Sequence, residues 1–255
     1  MWIPWFGRGR PPRGDANDRL TRLRNVLKQA QVGFDPDQPE LALKSLTISD
    51  PPAHQPAPKL QFFRSPLPAP AKIALLQGGF HSSSNLVDIE GTDHSRLKHF
   101  APEALALPLQ TALSLADQKL RGLFDLPSLQ TALIVFTSIG DTLLEDHHRD
   151  LLWRAFQVPV FEQLRGWDGT VIARECEIHD GLHVDDGAAI FEVLEEELLV
   201  TQLAVLEVPI IRCRTGMSCE IVRARCECEA ETSRLKSLGI RTRLPVAADA
   251  ARSEQ

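Results

Sequence analysis

Ala132-Leu-Ile-Val-Phe-Thr137, then a helical pattern, then Val158-Pro-Val-Phe161, is the stretch that decides the fold. The first segment is a short, uncharged, mainly apolar run, as expected of a strand buried on both faces of a parallel sheet. In the intervening segment Leu144, His147, Leu151, Leu152 and Ala155 fall on one face at helical spacing, and Thr142 with Glu145 three residues on forms a capping box. Strand, helix and strand in that order make a parallel unit whose crossover is right-handed.

Downstream the period changes. Gly166-Trp-Asp-Gly169 is a turn between strands 161–165 and 170–174, and Glu195-Glu-Glu197 separates strands 188–194 and 198–203. Val208–Arg212 and Glu220–Arg223 are further candidate strands around Gly216. Upstream, Leu20, Leu23, Leu27 and Ala30 mark one amphipathic helix behind a cap at Asp15 or Asn17, in a segment rich in arginine. Trp2, Pro4, Trp5 and Phe6 precede it and read as a tethered tail packed on the domain. Prolines 51, 52, 56, 58, 66, 68 and 70 make the next stretch an extended connection.

The fold class is therefore α/β: a partial parallel sheet with flanking helices followed by a β-rich subdomain. The expected division is a basic helical segment 1–50, a Pro-rich linker 51–71, an α/β domain 72–165, a β-rich zinc-containing subdomain 166–239 and a flexible tail 240–255.

At 255 residues, 43% hydrophobic and 24% charged, the chain has the composition of a globular protein that buries a substantial core. It contains no apolar run of about 18 residues, so no membrane span is expected, and no secretory leader is recognisable; the expected compartment is the cytoplasm. A net charge of -6 argues against a nucleic-acid partner, since neutralising phosphates needs a concentrated basic face.

All 5 cysteines lie between Cys176 and Cys228, which suits a reducing compartment and a local metal or thiol site better than a disulfide framework. Cys176, His183, Cys226 and Cys228 supply three thiols and one imidazole, a complete tetrahedral zinc set. His179 competes with His183 for the fourth vertex, and Arg174, Arg223 and Arg225 are candidate donors to the thiolates. The alternative is that these cysteines are small hydrophobes on strands. Cys213 and Cys219 lie in strand patterns and read as core or edge residues.

Gly140-Asp141, Ala155-Phe-Gln-Val-Pro-Val-Phe161, Cys176-Glu-Ile-His-Asp-Gly-Leu-His183, Glu197-Leu-Leu-Val-Thr-Gln-Leu203 and Pro209-Ile-Ile-Arg-Cys-Arg-Thr-Gly216, in that order, resemble the phenylacetate-CoA ligase branch of the adenylate-forming enzymes. The resemblance spans roughly residues 130 to 240 and ends on Cys226-x-Cys228 and Arg234-Leu-Lys-Ser-Leu-Gly239. It implies activation of a carboxylic acid by ATP and Mg²⁺ to an acyl-adenylate, then transfer to CoA. It also implies a structural zinc on Cys176, His183, Cys226 and Cys228, and nucleotide contacts from Gly140, Asp141, Arg214, Thr215 and Gly216.

The resemblance is incomplete at the chemistry. Gly78-Gly-Phe-His-Ser-Ser-Ser84 lacks the threonines and lysine of the family's phosphate loop, and reads as a surface turn. Phe161-Glu-Gln-Leu-Arg-Gly166 lacks the magnesium-binding glutamate motif and places Glu162 in another register; Met217 stands where the family has its ribose-binding aspartate. Only 16 residues follow Gly239, where the family has a swinging subdomain with a catalytic lysine, a role that Lys236 is too close to the core to take. The expectation is a truncated, degenerate relative, stabilised by zinc, that binds or scaffolds a protein partner or a second copy of itself. The alternative is an acid-CoA ligase acting on an aryl or aliphatic carboxylic acid, with ATP, Mg²⁺ and CoA as cofactors.

Overall fold

The strand pattern around residue 132 organises the whole molecule. The computed structural model describes residues 16–52, 63–67, 71–204 and 206–241. The aromatic N-terminus, Pro56, Pro58, Pro68 and Pro70, and the tail from residue 242 lie outside these. In chain order come α1 (Ala16–Gln29), α2 (Pro39–Ser45), β1 (Ile73–Leu75), β2 (Leu86–Asp88), α3 (His94–Phe100), β3 (Ala104–Pro108), α4 (Leu109–Leu120), β4 (Ala132–Ser138), α5 (Asp146–Phe156) and β5 (Val160–Arg165). There follow β6 (Val171–Arg174), β7 (Leu182–Val184), β8 (Ala189–Leu194), β9 (Glu197–Gln202), β10 (Cys213–Arg214), β11 (Met217–Val222) and β12 (Arg234–Ile240).

Among the described residues nine strands form one sheet in the order β11-β12-β7-β6-β5-β4-β3-β1-β2, and β10-β9-β8 form a second, antiparallel sheet. The large sheet changes character at β5. On one side β5 pairs in parallel with β4, Ile134 opposite Phe161; on the other it pairs antiparallel with β6, Leu164 opposite Ala173. The composition break at residues 165 and 166 is thus the switch from parallel to antiparallel pairing within one continuous sheet.

The burial of β4 explains its uniform run: Ala132 through Thr137 are all buried. Leu133 and Val135 face one core with Leu115, Leu152 and Phe156 of α4 and α5, while Ile134 and Phe136 face the other with Phe80 and Phe161. In the antiparallel half Leu164, Ile172, Leu198, Met217 and Leu235 close a core between the two sheets. Helix α1 belongs to the body: its Leu23 and Leu27 pack with Leu43 of α2 against Ile190 of β8 and Leu203, just past β9.

Several local expectations are corrected. The capping box of α5 is not Thr142 with Glu145. Asp141 Oδ1 takes the Thr142 N–H at 2.7 Å in a turn, the helix begins at Asp146, and the Glu145 N–H donates to His148 Nδ1 at 3.2 Å. His147 is off the buried face and exposed, its ring 3.8 Å from that of His148. Val208–Arg212 is not a strand: Pro209 has no N–H to give a ladder, and Arg212 takes a left-handed φ of 44°. The small sheet's third strand begins only at Cys213. In the Gly78–Ser84 loop the N–H groups of Gly78 and Phe80 both donate to the Asp88 carboxylate, at 3.1 and 2.9 Å, so the chain fills its own cradle.

Candidate metal centre and adjoining cleft

The antiparallel pairing of β7 with β12, which sets Arg234 opposite His183, brings the β11–β12 connection beside the loop that follows β6. Cys176 comes from that loop, His183 from β7, and Cys226 and Cys228 from the connection. The connection reverses tightly, with the Glu229 N–H donating to the Cys226 carbonyl at 2.9 Å and Glu229 at a φ of 68°. The candidate ligand atoms of Cys176, His183, Cys226 and Cys228 all lie within 4.8 Å of one another.

The spacing suits one small cation. A tetrahedron with thiolate arms of about 2.3 Å has edges near 3.8 Å. The Cys176 and Cys226 sulfurs are 3.9 Å apart, and Cys228 Sγ is 3.4 Å from His183 Nε2. His183 Nδ1 is 3.0 Å from Thr232 Oγ1, which turns Nε2 toward the thiols. Burial pushes the Cys176 and Cys228 thiols up, with the neighbouring sulfur charge adding to Cys176. Burial, then the charges of Arg234 and Arg174, push His183 down and keep the imidazole neutral. A divalent cation would reverse the cost of the thiolates and accept the neutral ring as it stands.

His179 does not join this group. Its ring packs 5.1 Å from that of Phe161 and its Nδ1 faces Glu175 Oε2 at 3.5 Å. Arg223 and Arg225 are exposed. The guanidinium that braces the site is Arg234, which sequence reasoning missed: it donates to the Asp180 carbonyl at 3.0 Å, to its carboxylate, and to the Ala224 carbonyl at 3.3 Å. Lys236 pairs with the same Asp180.

Beside this centre, α5, β5, the loop after β6 and β12 enclose a cleft of about 870 Å³ lined by Glu145, Arg149, Trp153, Glu162, Glu175 and His179 among others. Arg149 donates to Glu175 Oε1 at 2.6 Å and lies 3.6 Å from Glu162 Oε2. Burial raises Glu162 to about 7, against the Thr137 hydroxyl that donates to it at 2.7 Å, so the carboxyl gains and loses its proton near neutrality. Arg149 lies one residue from His148 on the inner side of α5, and Glu175 immediately precedes Cys176 at the end of β6. Those placements were visible in the sequence; their pairing was not.

The residues that the resemblance implied for nucleotide are placed in two groups. Gly140 and Asp141 form the turn after β4, and a Cβ on Gly140 would sit 3.7 Å from the Thr215 carbonyl, so this turn abuts the 214–216 loop. That loop is bonded internally. Arg214 pairs with Glu197, the Gly216 N–H donates to Glu197 Oε1 at 3.2 Å, and the Thr215 hydroxyl donates to the Leu198 carbonyl at 2.7 Å. Arg212 is likewise held, by Glu192 at 3.1 Å. Met217 is fully buried. Cys213 donates to the Asp50 carbonyl at 3.0 Å, and Cys219 lies half-buried on β11.

No protein-family profile matches the chain. No curated protein matches it either. Solved structures do match it in fold, among them those of a 2-hydroxyisobutyryl-CoA ligase. A 2-hydroxyisobutyryl-CoA ligase in complex with 2-HIB-AMP and CoA, in the thioesterification state, superposes with a TM-score of 0.61 at 12% identity, over 94% of this chain and 72% of that one. The same ligase with R3-HIB-AMP in the postadenylation state gives 0.58 at 12% identity, over 94% and 73%. Its open conformation gives 0.53 at 12% identity, over 89% of this chain and 50% of that one. The chain therefore spans between half and about three quarters of the ligase chains whose fold it shares. Among the described residues no helix is long and apolar enough to cross a membrane.

Proposed function

We propose that this chain is a zinc-stabilised relative of the phenylacetate-CoA ligases that works by binding, as a scaffold for a protein partner or a second copy of itself, and does not adenylate an acid on its own. The observation that carries this reading is the pairing of Arg214 with Glu197 beside a fully buried Met217. The loop that would meet a ribose has its donors and acceptors committed to the protein, and its last side chain contributes to the core. Zinc is supported by the geometry of Cys176, His183, Cys226 and Cys228 and by the Thr232 hydroxyl behind the imidazole. In this reading the metal is structural: its four vertices are protein atoms, with no open position for chemistry. A cytoplasmic location is consistent with free thiols.

The second reading, an ATP-dependent ligase acting on a small aryl or aliphatic carboxylic acid, is favoured by one observation. The fold matches structures solved with 2-HIB-AMP and CoA bound. Thermal melts of the full chain with and without millimolar Mg-ATP separate the two, because a ligand of the native state raises its apparent stability by mass action. An unchanged melting temperature and no pyrophosphate release with phenylacetate or related acids is the expected result. A saturable rise accompanied by acid-dependent pyrophosphate release replaces the scaffold with the ligase.

A further inference from the structure

Arg165 ends β5, where the parallel half of the sheet meets the antiparallel half, and it is 3% exposed. Its guanidinium lies 3.5 Å from the Phe136 ring centroid and 4.9 Å from that of Phe80. Nη1 donates to Gln77 Oε1. Nε and Nη2 have no hydrogen-bond partner among the described residues. Nothing but burial shifts the group, which is pushed down to about 9 and remains a cation at neutral pH.

The aromatic contacts do not account for these two nitrogens. A ring beneath a guanidinium engages its face, whereas the N–H bonds lie in its plane and need acceptors there. Nε and Nη2 form one edge of the fork, the pair of parallel donors that holds two oxygens of a single carboxylate or phosphate.

The surroundings of Arg165 fit the same ligand. It lines a pocket of about 70 Å³ with Gln110, Ser138, Asp141 and Thr142, at the carboxyl ends of β3, β4 and β5. Open α/β sheets present their ligand sites at that edge. The 12-residue α4 starts at the pocket, and its N-cap, Pro108, offers no side-chain acceptor to the first N–H groups. The positive end of that helix therefore adds to the pull on an anion. Asp141, exposed, has one oxygen already taken by the Thr142 N–H. The pocket has room for roughly five waters, the size of one small oxyanion and not of a nucleotide.

We propose that Arg165, with the N-terminus of α4, binds a small oxyanion, a carboxylate or a phosphate group, in this pocket. The site deepens the binding role proposed above by naming a ligand class, and it is independent of the metal centre.

The test uses calorimetry and thermal melts of the full chain at constant ionic strength held with chloride, titrated separately with inorganic phosphate and with acetate. At about tenfold excess over Kd the melting temperature should rise by roughly 3–6 °C with at least one of the two. Response to phosphate alone assigns a phosphoryl group, and response to acetate alone a carboxylate. Arg165→Met should abolish the response. Arg165→Lys, which keeps the charge but has no two-donor edge, should weaken it about tenfold. If Arg165→Met does not fold, the lysine variant carries the comparison. No saturable binding of either anion to the native chain overturns the proposal, as does equal binding by the lysine variant. Neither metal content nor Mg-ATP enters this measurement, so its failure leaves the scaffold reading where it stood.

Discussion

The Thr232 hydroxyl lies 3.0 Å from His183 Nδ1, which leaves His183 Nε2 facing Cys228 Sγ at 3.4 Å. A hydroxyl in that place sets the ring's tautomer and angle without itself being a ligand. Thr232→Val, close in shape, should keep the fold but weaken metal affinity by roughly 10–100-fold, read by competition with a chromophoric chelator. Cys228→Ser should lose the metal outright and lower the melting temperature. Equal affinity in Thr232→Val and the native chain would show that the hydroxyl orients nothing.

Glu162 makes stability depend on pH. Its folded-state carboxyl is raised from 4.5 to about 7, chiefly by burial. A group raised on folding contributes fully below its unfolded value and loses that contribution as pH rises through the folded one; here the window runs from about 4.5 to about 7. Glu162→Gln keeps an acceptor for the Thr137 hydroxyl and removes the charge. It should stabilise the chain by about 1–3 kcal/mol at pH 8 and change little at pH 4, by urea denaturation at both. A loss at pH 8 that disappears at pH 4 would mean that the carboxylate's contact with Arg149 outweighs its burial.

Gly166 opens the β5–β6 turn, and a Cβ there would overlap the side-chain amide of Gln202. That amide is buried and committed: its oxygen accepts the Trp167 N–H at 3.1 Å and its nitrogen donates to Asp168 at 2.6 Å. Gly166→Ala must displace Gln202 and break both hydrogen bonds, taking the acceptor from the buried Trp167 N–H, at a cost of about 1–3 kcal/mol. Gln202→Ala in the same background should recover part of the loss, since it removes the clash. Additive losses in the double variant would place the strain elsewhere.

What the sequence made legible follows from how each signal is encoded. β4 is buried on both faces, so its environment is uniform and its run is continuous; Gly166-Trp-Asp-Gly169 reverses the chain through local backbone geometry. Both signals lie within a few residues of their cause. The four cysteine and histidine positions were likewise visible as a set, because few residue types carry such ligands. Choosing between His179 and His183 needed the register of β7 on β12, and that is a long-range fact. The same holds for Arg234 on Asp180, Arg149 between two glutamates, and Arg165 on Phe136: an arginine reads alike in sequence whether it is solvated or buried. Val208–Arg212 read as a strand on composition, whereas Arg212 takes a left-handed φ and holds Glu192 and the carbonyls of Lys44 and Leu46 at the end of α2, contacts that the composition does not carry.

Met217 tests the proposal that this chain is a degenerate relative of the ligases. In the family that the sequence resembles an aspartate stands there, and a simple reversion, Met217→Asp, would be expected to restore nucleotide binding if only that side chain were missing. The structure argues otherwise. Met217 is fully buried, packed in one core with Leu164, Ile172 and Leu198, and its N–H donates to Thr215 Oγ1 at 3.1 Å. The neighbouring Arg214 is already paired with Glu197, so a carboxylate at 217 enters the core without a free cation beside it. An unpaired buried charge costs about 3–5 kcal/mol, a large part of a domain's total stability. Met217→Asp should therefore unfold at much lower urea than the native chain and show no stabilisation by Mg-ATP, whereas Met217→Leu, conserving volume, should cost less than about 1.5 kcal/mol. A stable Met217→Asp chain whose melting temperature rises with Mg-ATP would mean that the 214–216 loop can turn the new carboxylate outward, and that the nucleotide site was lost through this one side chain.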